Sequence, residues 1–180
     1  IINSNAYHLL DIINNIIDVA KIESGQIDMN SEPVDLAELF LGLQGLFMTD
    51  SPKVQLRFLE PDISVFTGDK IKIKQILVNL ISNAIKYTSE GYIEVSAFRE
   101  GGSLVFRVKD TGAGIPSEDQ PHIFERFMKG SNGRWRSRGG TGLGLSIVKA
   151  YVEKMGGRVW FTSRWKHGSV FYFSIPLIVD

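Results

Sequence analysis

A chain of 180 residues has room for one compact domain with a short attachment, which excludes a large multidomain assembly in this segment. Apolar residues at 43% and charged residues at 22% allow a buried core beneath a polar surface, so collagen-like and wholly disordered classes are set aside. Twenty Lys and Arg against twenty Asp and Glu balance to zero, which argues against a nucleic-acid-binding face spread over the whole domain.

There is no cysteine, hence no disulfide, thiolate nucleophile or Cys-based metal site, and three scattered histidines argue against a structural zinc centre. No apolar run approaches the ~18 residues that span a bilayer. The start, Ile1-Ile2-Asn3-Ser4, carries neither Met nor a basic leader and reads as an internal piece of a longer chain.

In chain order, Leu9, Leu10, Ile12, Ile13, Ile16, Ile17, Val19, Ala20 and Ile22 recur at spacings of three and four. They predict a helix over about 4–24, stopped by Ser24-Gly25, whose apolar stripe is wider than one surface needs. Such a helix belongs to a bundle completed by absent helices or by a second copy of the chain; the other reading folds it back on its own domain.

Val34 to Phe47 then reads as a helix with Asp35 as cap. The alternation Val54-Gln55-Leu56-Arg57-Phe58 predicts a strand ending before Pro61. Asp69 caps a long helix reaching Tyr87, with Ile73, Ile76, Leu77, Leu80, Ile81 and Ala84 facing the core. Strands over 92–98 and 104–108 form a hairpin across Glu100-Gly101-Gly102.

From Asp110 to Gly140 the pattern breaks: eight glycines or prolines surround a short helical stretch expected over 118–127. A loop segment of this length inside a compact domain tends to be functional. A helix over 143–155 and two strands, 158–162 and 169–175, complete the chain. The order predicts an α/β two-layer sandwich, a mixed and mostly antiparallel sheet with helices on one face, rather than a regular βα alternation.

Three features carry chemistry. Asn79 and Asn83 stand four apart on one helix face, where two amide oxygens can serve a hard cation such as Mg²⁺; solvated helix positions are the other reading. Lys86 can reach a phosphate as a mobile charge. After a strand comes Asp110-Thr111-Gly112-Ala113-Gly114-Ile115-Pro116, whose glycines let a flat ligand approach the backbone while Asp110 accepts from an exocyclic amine. The run Gly139-Gly140-Thr141-Gly142-Leu143-Gly144-Leu145-Ser146 opens a helix, so its unpaired N–H groups can face an anion. No Gly-Lys-Ser/Thr closes that run, which excludes the Walker A pattern.

Together these segments resemble, in order, the four boxes of the catalytic and ATP-binding domain of sensor histidine kinases, within the superfamily that includes type II topoisomerase, Hsp90 and MutL ATPases. Asn79 to Tyr87 is similar to the N box, Asp110 to Pro116 to the first glycine box, Ile123-Phe124-Glu125-Arg126-Phe127 to the F box, and Gly139 to Ser146 to the second glycine box.

The resemblance implies ATP and Mg²⁺ as ligands, Asn83 as principal metal ligand with Asn79 beside it, Lys86 on phosphate, and Tyr87 as a pocket wall. Asp110 would read the adenine amine. Gly112, Gly114, Ile115, Phe127, Thr141, Gly142, Leu143, Gly144 and Leu145 would line the nucleotide, with 128–140 as an ATP lid. Phe124 and Phe127 would pack where that lid begins; both are equally readable as core aromatics.

Residues 1–25 would be the end of the dimerisation and histidine-phosphotransfer hairpin, and 26–180 the catalytic domain. His8, followed by Leu9-Leu10-Asp11, lacks the acidic residue and proline expected after a phosphoacceptor, as do His122 and His167. The acceptor histidine therefore belongs to the parent protein, which the resemblance implies is a homodimer, and phosphoryl would pass on to a response regulator. A cytoplasmic location and a membrane-associated parent follow from the same likeness. Related ATPases carry a water-activating glutamate where this chain has Asn79, which implies slow hydrolysis. An anti-sigma-type serine kinase and a non-catalytic nucleotide-binding interaction domain are the alternatives; the bundle helix counts against the first, and Asn83, Asp110 and the glycine boxes against the second.

Overall fold

The computed structural model describes residues 13, 16–22, 24–26, 28–47, 53–128, 130 and 140–177. Its elements run β1 Glu32–Asp35, α1 Leu36–Leu46, β2 Val54–Phe58, β3 Val65–Gly68, α2 Lys70–Tyr87, β4 Gly91–Glu100, β5 Ser103–Asp110, a 3₁₀ turn Gln120–His122, α3 Gly144–Lys154, β6 Arg158–Arg164 and β7 Gly168–Pro176. Five strands form one sheet in the order β2-β4-β5-β7-β6, with β2 parallel to β4 and every other pair antiparallel. This is the mixed, mostly antiparallel sheet expected, and helices cover one face.

The alternation along the strands sorts the two faces. Ile93, Val95 and Ala97 of β4, Leu104, Phe106 and Val108 of β5, and Phe171, Phe173 and Ile175 of β7 are all buried. They meet Ile73, Ile76, Leu77, Leu80 and Ile81 of α2 and Ile147, Val148, Tyr151 and Val152 of α3 in a single apolar core. Phe106 and Phe173 stack at 4.6 Å between centroids, at the middle of it. On the opposite face Arg107 pairs with Glu94 at 2.5 Å, and Trp160 stacks on Tyr172 at 5.3 Å.

Helix starts follow their caps. Asp35 accepts from Glu38 N at 2.9 Å and Asp69 from Lys72 N at 2.9 Å, satisfying backbone donors that the first turn leaves over. Three expectations are corrected. Val34 is not helical: it lies in β1, which pairs antiparallel with β3 through Val34 and Phe66, and both four-residue strands are too short to show a period. Second, the stretch expected as helical over 118–127 holds only the 3₁₀ turn Gln120–His122, where Pro121 supplies no N–H to continue a helix. Third, Phe127 is 68% exposed at φ 61 and packs in no core, whereas Phe124 meets Phe161 edge-on at 5.9 Å.

Residues 16–22 are helical, and Val19 and Ile22 pack against the core, so this part of the predicted helix does lie on its own domain. Its Ile16 and Ile17 remain 53% and 46% exposed, as does Ile13 at 44%, so these three positions of the stripe are left uncovered by the described residues. Of the helix expected over 4–24, positions 4–12, with His8, and 14, 15 and 23 fall outside the described residues. Among the described residues no helix is long and apolar enough to cross a membrane.

Candidate functional site

The last two turns of α2 face the second glycine run. Asn79, Asn83, Lys86 and Tyr87 are half-buried, alongside the fully buried stripe of Ile73, Ile76, Leu77, Leu80, Ile81 and Ala84. A Cβ placed on Gly144, the first residue of α3, would stand 3.1 Å from Asn79 Oδ1, and one on Gly140 would stand 2.8 Å from Lys86 Nζ. The glycines thus bring backbone to the amide and the ammonium without an intervening side chain. Lys86 Nζ also lies 4.8 Å from the centre of the Tyr87 ring.

Leu143, at the N-cap of α3, makes no side-chain cap bond. Thr141 Oγ1 accepts from Leu143 N at 3.1 Å, and no side chain of the cap satisfies the donors of the turn that follows, which leaves this end suited to an anion. Leu143 itself is buried and Leu145 half-buried against the core, so they can meet a ligand chiefly through their backbone. Gly142, at φ +74, lies against the backbone of 127–128: a Cβ there would stand 2.7 Å from Phe127 C and 2.9 Å from Met128 O. Positions 129 and 131–139, most of the expected lid, lie outside the described residues.

Asp110 ends β5 and is buried. Its Oδ1 accepts from Gly112 N at 2.8 Å and Ser169 N at 3.3 Å, while Oδ2 takes no bond from the described residues. Burial pushes this carboxyl above the usual carboxylate value, against the pull of the two backbone N–H groups. The loop after it is held from both sides. Ala113 N donates to Tyr87 O at 3.1 Å, tying it to the end of α2, and Lys166 N donates to Ala113 O at 2.6 Å, tying it to the β6–β7 turn. Gly114, at φ +65, lies so close to that turn that a Cβ would stand 2.0 Å from Arg164 O. Ile115 is buried and its N–H donates to Ser163 Oγ at 2.8 Å.

Tyr87 therefore joins two halves: an amide-and-ammonium face against the α3 terminus, and a buried acceptor behind the first glycine loop. Both glycine runs meet the end of α2, and the backbone of Phe127 meets the second run at Gly142 with its ring exposed. Sequence reading missed Thr88, Ser163 and Ser169. Ser163 and Ser169 lie 53 and 59 positions beyond Asp110, in strands where an isolated serine carries no local signal.

The chain is thus a two-layer α/β sandwich in which a buried carboxylate and an amide-and-ammonium face flank the end of α2. The family model for histidine kinase-, DNA gyrase B- and HSP90-like ATPases matches residues 68–179. The circadian input-output histidine kinase CikA of Synechococcus elongatus is 35% identical over 97% of this chain and 24% of its own length; the sensor protein GacS of Pseudomonas syringae is 38% identical over 98% of this chain and 20% of its own. Among solved structures, full-length ShkA in complex with AMPPNP superposes with a TM-score of 0.82 at 28% identity, covering 96% of this chain and 36% of that one. The histidine kinase ThkA in complex with the response regulator TrrA superposes with a TM-score of 0.74 at 29% identity, covering 98% and 49%.

The chain belongs to this ATPase family, and within it to the catalytic domains of sensor histidine kinases. It spans about a quarter of the length of these relatives or less. Domains of the family bind ATP with Mg²⁺. The donor set here fits that ion: two half-buried amides are at hand, and among the described residues no group of three His, Cys, Asp or Glu gathers to form an all-protein cage. Such a site leaves most of the ion's coordination to phosphate oxygens and water.

Proposed function

We propose that this chain binds Mg·ATP along α2 and donates its γ-phosphoryl group to a histidine elsewhere in the parent protein, for onward transfer to a response regulator. The observation that carries the reading is the position of Asn79 and Lys86 against Gly144 and Gly140, with Asp110 buried beyond Tyr87. Asp110 accepts the adenine amine on Oδ2 while Oδ1 stays occupied by backbone. Ile115 and the backbone at Gly112 and Gly114 bound the base. Lys86, Thr141 and the N–H groups from Gly142 to Leu145 hold the triphosphate. Asn83, with Asn79 beside it, would hold Mg²⁺, which would supply charge neutralisation for the triphosphate.

In transfer the imidazole nitrogen of the acceptor forms a bond to the γ-phosphorus as the bond to the β–γ bridging oxygen breaks, and ADP leaves. The chain's part is placement and charge neutralisation. Asn79 offers no basic group to activate water, which favours transfer over hydrolysis. We assign residues 1–25 to the end of the parent's dimerisation and phosphotransfer hairpin and 26–180 to the catalytic domain; a second copy would cover Ile13, Ile16 and Ile17 in a homodimer. The domain would work in the cytoplasm, with the parent at the membrane.

Labelled ATP and Mg²⁺ are added to the chain with a separate polypeptide carrying the parent's histidine hairpin. Acid-labile, alkali-stable label should appear on the hairpin only, weakly because the tether is missing, and Asn83→Ala should abolish it. Label on serine of a partner instead would favour the serine kinase reading, and nucleotide binding with no transfer to any acceptor would favour a binding module.

A further inference from the structure

Ser163, in β6, is not itself among the residues assigned to the nucleotide, yet three segments meet at its hydroxyl, one of them the base-lining Ile115. Ile115 N donates to Ser163 Oγ at 2.8 Å, Gly168 O lies 3.1 Å from it, and Ser169 Oγ lies 3.0 Å from it. A serine hydroxyl has one hydrogen and two lone pairs. Ile115 N–H takes one lone pair. When Ser163 donates its hydrogen to Gly168 O, the second lone pair is left for the hydroxyl of Ser169, and all three contacts are satisfied together. In that arrangement the Ser169 hydrogen points to Ser163. Ser169 is the same residue whose backbone N–H donates to Asp110 Oδ1 at 3.3 Å.

Gln120 adds a second tie at the same place. Its Nε2 donates to Ile115 O at 3.0 Å and to Ser163 O at 3.4 Å, so both main-chain groups of Ile115 are anchored to Ser163 or its neighbourhood. The exit of the first glycine loop and the residue behind Asp110 are thus set by one side chain.

We propose that Ser163 is a positioning residue for base selection: it holds the Ser169 hydroxyl away from the Asp110 carboxylate and so keeps Oδ2 an uncontested acceptor for an exocyclic amine. This rests on the reading that Asp110 recognises adenine. Without the Ser163 hydroxyl, Ile115 N–H loses its acceptor and the Ser169 hydroxyl turns to Asp110, where it competes with the amine of the base.

The test is calorimetric titration of the whole chain with ATP and with inosine triphosphate, whose base has a carbonyl in place of the amine. Ser163→Ala should lower the ratio of ATP to inosine triphosphate affinity by about fivefold, the effect of one hydrogen bond. Ser163→Thr, which keeps the hydroxyl, should hold the wild-type ratio, and adding Ser169→Ala to Ser163→Ala should recover it by removing the competing donor. A purely structural serine would lower both affinities together and leave the ratio unchanged, and that result overturns the proposal, as does a double variant no better than the single one. Asp110→Asn run alongside separates the two claims: if it keeps the wild-type ratio, the adenine reading itself fails, whereas its loss with an unchanged Ser163→Ala ratio removes only the role given to Ser163.

Discussion

Asp18 and Gln75, 57 positions apart, are joined by a hydrogen bond from the Gln75 amide to the Asp18 carboxylate, and Gln75 stands one helical turn before Asn79 on α2. The Tyr151 hydroxyl of α3 also faces Asp18, and Lys72 Nζ lies 3.4 Å from that hydroxyl and 4.6 Å from the ring centre. The helix over 16–22 is therefore attached through a polar cluster to both helices that frame the candidate nucleotide site.

Asp18→Ala should detach that helix. Gln75 and Tyr151 lose their shared acceptor in a partly buried place, a loss of about 1–3 kcal/mol. Hydrogen exchange followed by mass spectrometry should show faster exchange at 16–22, with β4, β5 and β7 unchanged; equal protection in wild type and variant would mean that Val19 and Ile22 suffice to hold the helix.

Tyr151 offers a second view of the same cluster. Burial, then the charge and hydrogen bond of Asp18, then the charge of Asp69 raise its hydroxyl above the usual value of 10.0, while Gln75 acts the other way. The folded chain keeps this proton more tightly than the unfolded one, so stability is unaffected below pH 10.0 and falls as pH rises above it. Tyr151→Phe should remove that alkaline loss in denaturant titrations.

Asp110 gives opposite pH trends for folding and binding. Its carboxyl is raised above 3.8, chiefly by burial, so the native state binds the proton more tightly and stability declines as pH rises from 3.8 through the folded value. Adenine needs the ionised acceptor, so ATP affinity should weaken as pH falls through the same window. Asp110→Asn should flatten both trends; unfolding and nucleotide titrations from pH about 7 to about 4 measure them. A variant with the wild-type slope in either would place the responsible group elsewhere.

Gly142 lies against the backbone of Phe127 and Met128. Alanine there meets Phe127 C at 2.7 Å while being held at φ +74, a backbone region that costs a side chain about 1–2 kcal/mol. Gly142→Ala should weaken ATP binding about tenfold and leave binding of isolated adenosine nearly intact, because the displaced backbone belongs to the phosphate end. An equal loss for adenosine and ATP in calorimetry would show that the whole site had shifted.

The parts of this fold that were legible in the sequence are those with a period or a cap. Asp35 and Asp69 announced the starts of α1 and α2, and the alternations in β2, β4 and β5 announced those strands. The four-residue β1 and β3 have no room for a pattern, and their existence depends on Val34 and Phe66 finding each other. The site divides likewise. Asn79, Asn83, Lys86 and the glycines were visible because helical spacing and loop composition are local properties. Ser163 and Ser169 were not, because a serine becomes notable only when the β6–β7 hairpin brings it against Ile115 and Asp110.

Thr88 provides a test in which removing a polar group should help. It is the C-cap of α2, its own N–H donates to Ala84 O at 3.0 Å, and the residue is buried. Its Oγ1 has no hydrogen-bond partner among the described residues, and it lies 2.8 Å from where a Cβ on Gly112 would stand, pressed beneath the first glycine loop. A buried hydroxyl without a partner loses its hydration and recovers nothing. Thr88→Val keeps the shape and removes that penalty, so stability should rise by about 1 kcal/mol, or roughly 2–4 °C in Tm for a chain of this size. Thr88→Ser keeps the hydroxyl and deletes a buried methyl group, so it should lower stability by about 1 kcal/mol. Thermal unfolding of the two variants beside wild type decides the matter: if valine destabilises as much as serine does, the Thr88 hydroxyl is bonded in solution and the packing against Gly112 differs from the arrangement described.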